Sequence, residues 1–139
     1  MENKVIFITG IDTSVGKTYA TGVLARSMKA LGRSVTTMKM VQTGCEGISE
    51  DIEMHRRLMG IPLTDEDRMG LTCPYLFKYP CSPHMAAAME KNEIIPFTIS
   101  MNIEQMQQHY NQILIEAAGG LMVPLNFDML TIEYIRERH

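Results

Sequence analysis

Tryptophan is absent from this 139-residue chain, and Phe and Tyr bring the aromatic share to only 6%. Its apolar volume must therefore come from aliphatic side chains, and the 13 methionines are predicted core material, flexible enough to fill irregular gaps. Cysteine is scarce and odd in number. Cys45, Cys73 and Cys81 contain no CxxC pair, which excludes a paired disulfide framework and a thiolate metal site, and free thiols in a reducing cytoplasm are expected. No stretch approaches the roughly 18 to 20 consecutive apolar residues of a membrane-spanning helix. The apolar run Val5 to Ile8 is too short for the core of an export signal, so a cytoplasmic location is expected. An excess of positive charge is also missing: 13 basic against 16 acidic residues give a net charge of -3, which excludes a nucleic-acid-wrapping or polybasic membrane-binding surface. The four histidines, His55, His84, His109 and His139, are scattered without ligand spacing and are expected to be structural or exposed.

What is present is enough apolar residue, 45%, to bury the core of one domain spanning 1–139. Lys4 to Thr9 is a β-branched and aromatic run without polar alternation, the pattern of a strand buried on both faces of a parallel sheet. A helix is predicted over Val15 to Leu31, stopped by Gly32, and a second strand over Ser34 to Met40, parallel to the first, so the three form a βαβ unit. A helix over Asp51 to Met59 closes at Gly60. Four prolines between Pro62 and Pro83 predict an irregular connection, followed by a helix over His84 to Lys91. Thr98 or Ser100 would cap a further helix reaching about Tyr110, and Ile113 to Glu116 reads as a third buried strand ending in an acid. The last segment, Thr131 to His139, is helical in composition with nothing after it to pack against. The sequence carries no internal repeat. This order predicts an α/β fold: a parallel sheet of at least three strands, helices on both faces, and a site at the strand carboxyl ends.

The sharpest chemical signal lies where the first strand meets the first helix, at Gly10-Ile-Asp-Thr-Ser-Val-Gly16-Lys17-Thr18. Glycines let a backbone curl with its N–H groups inward, and a helix N-terminus adds partial positive charge. Lys17 can neutralise phosphate oxygens and the Thr18 hydroxyl can ligate Mg²⁺. Asp12, Thr13, Ser14 and Val15 fill the loop together with Ile11, five residues between glycines where the generic phosphate-binding loop has four. The competing reading is a tight glycine turn beside an exposed lysine, against which stands the strand–loop–helix context. Lys39 ends the second strand and either reaches the same phosphates or is a solvated strand-end charge. Asp51 and Glu116 are ordinary acids singly, but two carboxylates with Thr18 suit Mg²⁺, which takes hard oxygen ligands and keeps several waters.

Four ordered segments resemble one family along almost the whole chain. They are the loop from Gly10 to Thr18, Lys39-Met-Val-Gln-Thr-Gly44, Pro74 to His84 with Ser82-Pro83-His84, and Glu116-Ala-Ala-Gly-Gly120 followed by Pro124-Leu125. In this order they resemble the dethiobiotin synthetases. The resemblance implies a P-loop NTPase-like sheet and ATP- and Mg²⁺-dependent carboxylation and ring closure of 7,8-diaminopelargonic acid with CO₂. A substrate amine is carbamated, the carbamate attacks the γ-phosphate, and the second amine closes the ureido ring. By the same resemblance Thr18, Asp51 and Glu116 are the metal ligands, and Thr13, Lys39 and Thr43 lie near the substrate amines and carbamate. Lys39 is the essential second lysine beside Lys17, and Asp12 is the loop's acid. The loop residues from Asp12 to Thr18, with Glu116 and Gly119, contact the nucleotide. A homodimer is implied, with no nucleic acid or membrane partner.

The chain departs from the family pattern at Ile11, commonly Thr, at Met40, commonly Pro, and at Ala117, commonly Gly. A Cβ at position 117 forbids the positive-φ conformations open to glycine and would crowd an approaching γ-phosphate. The family's C-terminal strands, adenine-cradling segment and residues for the substrate carboxylate have no counterpart in these 139 residues. The first strand is therefore expected to be an uncovered apolar edge, an aggregation hazard. Two other functions compete with a synthetase. One is a non-catalytic or partner-dependent nucleotide-phosphate-binding fragment; the other is a small P-loop kinase or general ATPase, which the Ser82-Pro83-His84 and Glu116-Ala117-Ala118 contexts disfavour.

Overall fold

The computed structural model describes residues 2–12 and 16–138. Three parallel strands form the main sheet: β1 (Lys4–Ile8), β2 (Val35–Lys39) and β5 (Gln112–Glu116), in the order β1-β5-β2. The helix α1 (Lys17–Ala30) thus connects two strands that are parallel but not neighbours, with β5 between them. Register aligns the carboxyl ends, because both Ile8 and Lys39 sit opposite Glu116. A second pair, β3 (Val41–Gln42) with β4 (Tyr75–Leu76), continues the chain just beyond β2.

Side-chain alternation assigns the two faces. Leu114 packs with Ala25, Met28, Val35 and Met59, under α1 and α2 (Glu50–Met59). Ile113 and Ile115 pack on the opposite face with Ile99, Ile103, Met106 and Tyr134, contributed by α5 (Pro96–Gln107) and α6 (Thr131–Glu137). Helices thus cover both faces, as expected. Residues Thr37, Lys39 and Glu116 share the α1/α2 face, which decides where the polar groups of the site meet. At the α1–α2 crossing, Gly22 lets the helices approach so closely that a Cβ there would stand 2.6 Å from the Leu58 side chain.

Several local expectations need correction. The first helix begins at Lys17, not Val15, and Thr13, Ser14 and Val15 lie outside the described residues. The segment between Pro62 and Pro83 is not wholly irregular: Thr64 caps the short α3 (Asp65–Arg68) in a reciprocal capping box with Asp67, and β4 follows. The next helix, α4 (Pro83–Met89), has proline at its first turn, as has α5, which starts at Pro96 ahead of the expected caps. Only part of the methionine set is core: Met28, Met38, Met40, Met59 and Met106 are buried, whereas Met54, Met69, Met85, Met89, Met101 and Met122 are exposed. The last helix packs back on earlier elements: Tyr134 is buried, sits edge-on to Phe7 and hydrogen-bonds Ser100.

β1 lies at the sheet edge with Val5 to Ile8 half-buried, beside a groove lined by Asn3, Lys4, Val5, Ile6, Phe7, Gln107 and Arg138. At the other edge every residue of β2 is buried, and Lys39 N–H donates to the Thr72 carbonyl. Among the described residues, no helix is long and apolar enough to cross a membrane.

Candidate functional site

A cleft of about 670 Å³ opens at the carboxyl ends of β2 and β5. Gly16, Lys17 and Thr18 line it from the start of α1, Lys39 and Thr43 from the end of β2 and beyond, Asp51 from α2, and Glu116 and Gly119 from the end of β5. These residues are far apart in sequence, and the parallel register is what gathers them.

The two helix N-termini that meet here differ in the way a phosphate site requires. In α2, Ser49 accepts a hydrogen bond from Ile52 N–H, and Glu50, Asp51 and Glu53 occupy the first turn, so that terminus is satisfied by its own chain. Among the described residues, no side chain caps the start of α1 and no acid lies in its first turn. Its N–H groups and positive dipole end suit an anion. Gly16 takes φ 97° at this junction, a left-handed conformation that glycine allows without a Cβ penalty. Gly120 is held for a different reason: a Cβ would come within 2.6 Å of the Ile11 carbonyl oxygen, so the loop after β5 presses directly on the phosphate loop.

The charged groups form one connected set. Lys17 Nζ donates to the Asp12 carbonyl oxygen at 2.6 Å, bringing the ammonium back over its own loop. Burial and then the nearby Lys39 charge lower the Lys17 ammonium from its ordinary value, opposed by Glu116, Asp12 and Asp51. Lys39 Nζ lies 2.7 Å from Asp51 Oδ2 and 3.4 Å from Glu116 Oε2, bridging the two carboxylates. Thr18 donates its hydroxyl hydrogen to Glu116 Oε1 at 2.5 Å. Burial alone would push the Glu116 carboxyl up. Contacts with His55, the Lys39 ammonium and the Thr18 hydroxyl outweigh it and hold the group at about 2, an anion at any physiological pH.

Thr18, Asp51 and Glu116 carry hard oxygens of the kind Mg²⁺ takes: Thr18 Oγ1 meets Glu116 Oε1, and the Asp51 and Glu116 carboxylates are joined through the Lys39 ammonium. Glu116 Oε2 is buried without an aligned hydrogen-bond partner, 3.4 Å from Lys39 Nζ and 3.3 Å from His55 Nε2, and so keeps acceptor capacity that a cation could use. Among the described residues no group of three or more His, Cys, Asp and Glu side chains is placed to hold a metal. A cation here would therefore draw on the Thr18 hydroxyl, two carboxylates, and water or phosphate oxygens. The residues fit Mg²⁺ and do not fit zinc, which favours closed nitrogen and sulfur sites. Burial pushes the Cys73 thiol up to about 12, so no thiolate nucleophile stands ready there.

Asp12 is exposed; its backbone carbonyl accepts from Lys17 Nζ, and its charge favours the Lys17 ammonium. One sequence expectation changes in this region: Ala117 does not face a γ-phosphate. It is buried in the core on the α5 face, and its backbone φ is negative, so its Cβ meets no conformational obstacle. The glycine-requiring turn falls two residues later, at Gly119 with φ 64°. The other departures are also harmless to the cleft: Ile11 projects into solvent and Met40 is core. Sequence reasoning missed Glu50, Tyr19 and Met54 on the cleft wall, and it missed His55 behind Glu116. The i, i+4 spacing from Asp51 was the signal that could have placed His55 on the same helix face.

A family model for an AAA domain matches residues 4–137. Over 97% of its length the chain is 54% identical to the ATP-dependent dethiobiotin synthetase BioD 2 of Haemophilus ducreyi, and it covers 64% of that protein. It is 50% identical to the protein of the same name in Haemophilus influenzae, over 96% of this chain and 70% of the relative. It is 49% identical to the ATP-dependent dethiobiotin synthetase BioD of Chlorobaculum tepidum, over 99% of this chain and 57% of the relative. The chain thus spans between just over half and just over two thirds of the length of these relatives. With a phosphate loop, paired lysines and paired carboxylates at the strand ends of a parallel α/β sheet, and with these relatives, the chain belongs to the ATP-dependent dethiobiotin synthetase family of AAA-domain proteins.

Proposed function

We propose that this chain carries the ATP-phosphate and carbamate half of a dethiobiotin synthetase, which carboxylates 7,8-diaminopelargonic acid with CO₂ and closes the ring at the expense of ATP. The observation that supports this most is the bridge made by Lys39 between Asp51 and Glu116 in the cleft that Lys17 and Thr18 also line. Phosphoryl transfer spreads negative charge over the equatorial phosphate oxygens, and catalysis is mostly positioning and electrostatic stabilisation. The α1 N-terminus and Lys17 bind the ATP phosphates; Lys39, already desolvated among carboxylates, turns its ammonium toward the transferring group. Thr43 lies on the same wall and would meet the carbamate or amine, a role in which Thr13 would join it. Thr18, Asp51 and Glu116 would hold Mg²⁺, which supplies charge neutralisation on the phosphates.

The reading includes a homodimer and a cytoplasmic location, the latter in keeping with three free cysteines. It is tested by titrating the protein with Mg·ATP while phosphate release is followed with and without the diamine and bicarbonate. Diamine-dependent release is expected. Nucleotide binding without release would favour a partner-dependent phosphate-binding fragment, and absence of nucleotide binding would remove both readings.

A further inference from the structure

Behind the cleft, three side chains form a chain of donors that ends on Glu116. Arg56 is fully buried and is gripped by Asp67 through Nε and Nη2, each at 2.8 Å. Its Nη1 donates to Thr37 Oγ1 at 2.8 Å. Arginine can only donate, so Thr37 oxygen is the acceptor in that bond. The buried Thr37 hydroxyl hydrogen must then find an acceptor elsewhere, and among the described residues His55 Nδ1, 2.7 Å away, is the group in reach. An imidazole that accepts at Nδ1 carries its hydrogen on Nε2. Nε2 faces Glu116 Oε2 at 3.3 Å, near enough for attraction but off the line of a full hydrogen bond.

We propose that His55 is a positioning residue: its Nε2–H, oriented by the Arg56–Thr37 relay, holds the Glu116 carboxylate in the rotation that presents it to the cation of Mg·ATP. The inference rests on the reading of the cleft as a Mg·ATP site. His55 is itself 0% exposed and does not line the cleft, so it touches neither nucleotide nor substrate. Its effect passes through Glu116, whose other oxygen is held by Thr18. Without the donor at Nε2, one oxygen of a buried carboxylate loses its backing, and the side chain is free to turn toward Lys39. Partners behind a metal ligand set its orientation, and removing one typically costs about 10- to 100-fold in metal affinity.

The test compares His55→Leu, which keeps bulk without a donor, His55→Gln, whose amide nitrogen can replace Nε2–H, and Thr37→Val, which removes the hydroxyl that orients the ring. Crystal structures of the nucleotide-free proteins read the Glu116 rotamer directly. ATP titrations at fixed low and rising Mg²⁺ read the cation requirement. His55→Leu should release Glu116 from Thr18 and raise the half-saturating Mg²⁺ about tenfold, with metal-free ATP affinity unchanged, and His55→Gln should restore both. Thr37→Val should shift them in the same direction, which decides the matter if His55→Leu does not fold. An unmoved Glu116 in His55→Leu, or in Thr37→Val should His55→Leu fail to fold, overturns the proposal. So does an equal loss of metal-free and Mg²⁺-dependent binding, the mark of a merely structural role. Failure of the parent protein to bind ATP would instead refute the Mg·ATP reading, while the Glu116 rotamer would still decide what His55 does.

Discussion

Replacing Asp67 by alanine should unfold this protein more readily than any surface change. Asp67 is buried and accepts from Arg56 Nε and Nη2, from the Thr64 N–H at 2.8 Å and from the Thr72 hydroxyl at 2.7 Å. Asp67→Ala leaves the Arg56 guanidinium buried without its counter-charge, a loss worth about 3–5 kcal/mol. Domains of this kind are stable by about 5–15 kcal/mol in total, so the variant forfeits a large fraction. With a urea dependence of roughly 2 kcal/mol per molar, the unfolding midpoint should fall by about 1.5–2.5 M. The sign with pH follows from the carboxyl's own shift. Burial would raise it, but Arg56, Thr64 and Thr72 together hold it below the ordinary 3.8. A depressed carboxyl stabilises the fold above its unfolded value and loses that contribution as pH falls through the lower folded value. The gap between parent and variant should therefore be full at neutral pH and close below 3.8. Replacing both partners by apolar residues, Arg56→Met with Asp67→Leu, should recover most of the stability, because no buried charge is then left alone. Urea melts of the three proteins followed by circular dichroism check this. A midpoint shift in Asp67→Ala below about 0.5 M, which is about 1 kcal/mol at that slope, would refute the reasoning.

Lys17→Ala should weaken ATP binding by at least about tenfold, or 1.4 kcal/mol, and Glu116→Ala should blunt its Mg²⁺ dependence, both read by calorimetric titration; unchanged binding in the two together would remove the phosphate-loop assignment. Gly120→Ala drives a Cβ against the Ile11 carbonyl, a backbone group that cannot turn aside, so nucleotide affinity should drop about tenfold and the thermal midpoint should fall with it. Ala117→Gly should leave nucleotide affinity untouched and cost about 1–2 kcal/mol of stability, from backbone entropy and one lost buried methyl; a gain in affinity would restore the idea that this Cβ crowds the phosphate. Gly22→Ala overpacks the α1–α2 crossing against Leu58 and should cost about 1–3 kcal/mol, seen as a lowered melting temperature.

Much of this protein is written locally. The apolar runs of β1 and β5, the glycine stops after α1 and α2, and the glycine-rich turn into Lys17 and Thr18 each depend on neighbours within a few residues, so composition and spacing suffice to place them. Lys17, Thr18, Lys39 and Glu116 were equally legible, since a parallel sheet must bring the ends of its strands to one side, whereas Thr43 and Gly119, and Asp51 as a ligand, came from the family resemblance. Other features depend on which strand stands beside which, and no local signal carries that. The insertion of β5 between β1 and β2 sets Lys39 and Ile8 on either side of Glu116. Strand alternation then turns Thr37 and Glu116 toward the helix that carries His55 and Arg56, making a buried polar relay out of residues that in sequence are a strand threonine and a scattered histidine. The direction of the Ala117 Cβ, into the core rather than over the phosphate loop, is likewise a matter of packing. The sequence by itself determined the phosphate loop and its chemistry, because a turn into a helix is a short-range object; the tertiary structure alone decided what stands behind Glu116, because burial brings together groups that the chain keeps 18 to 98 residues apart.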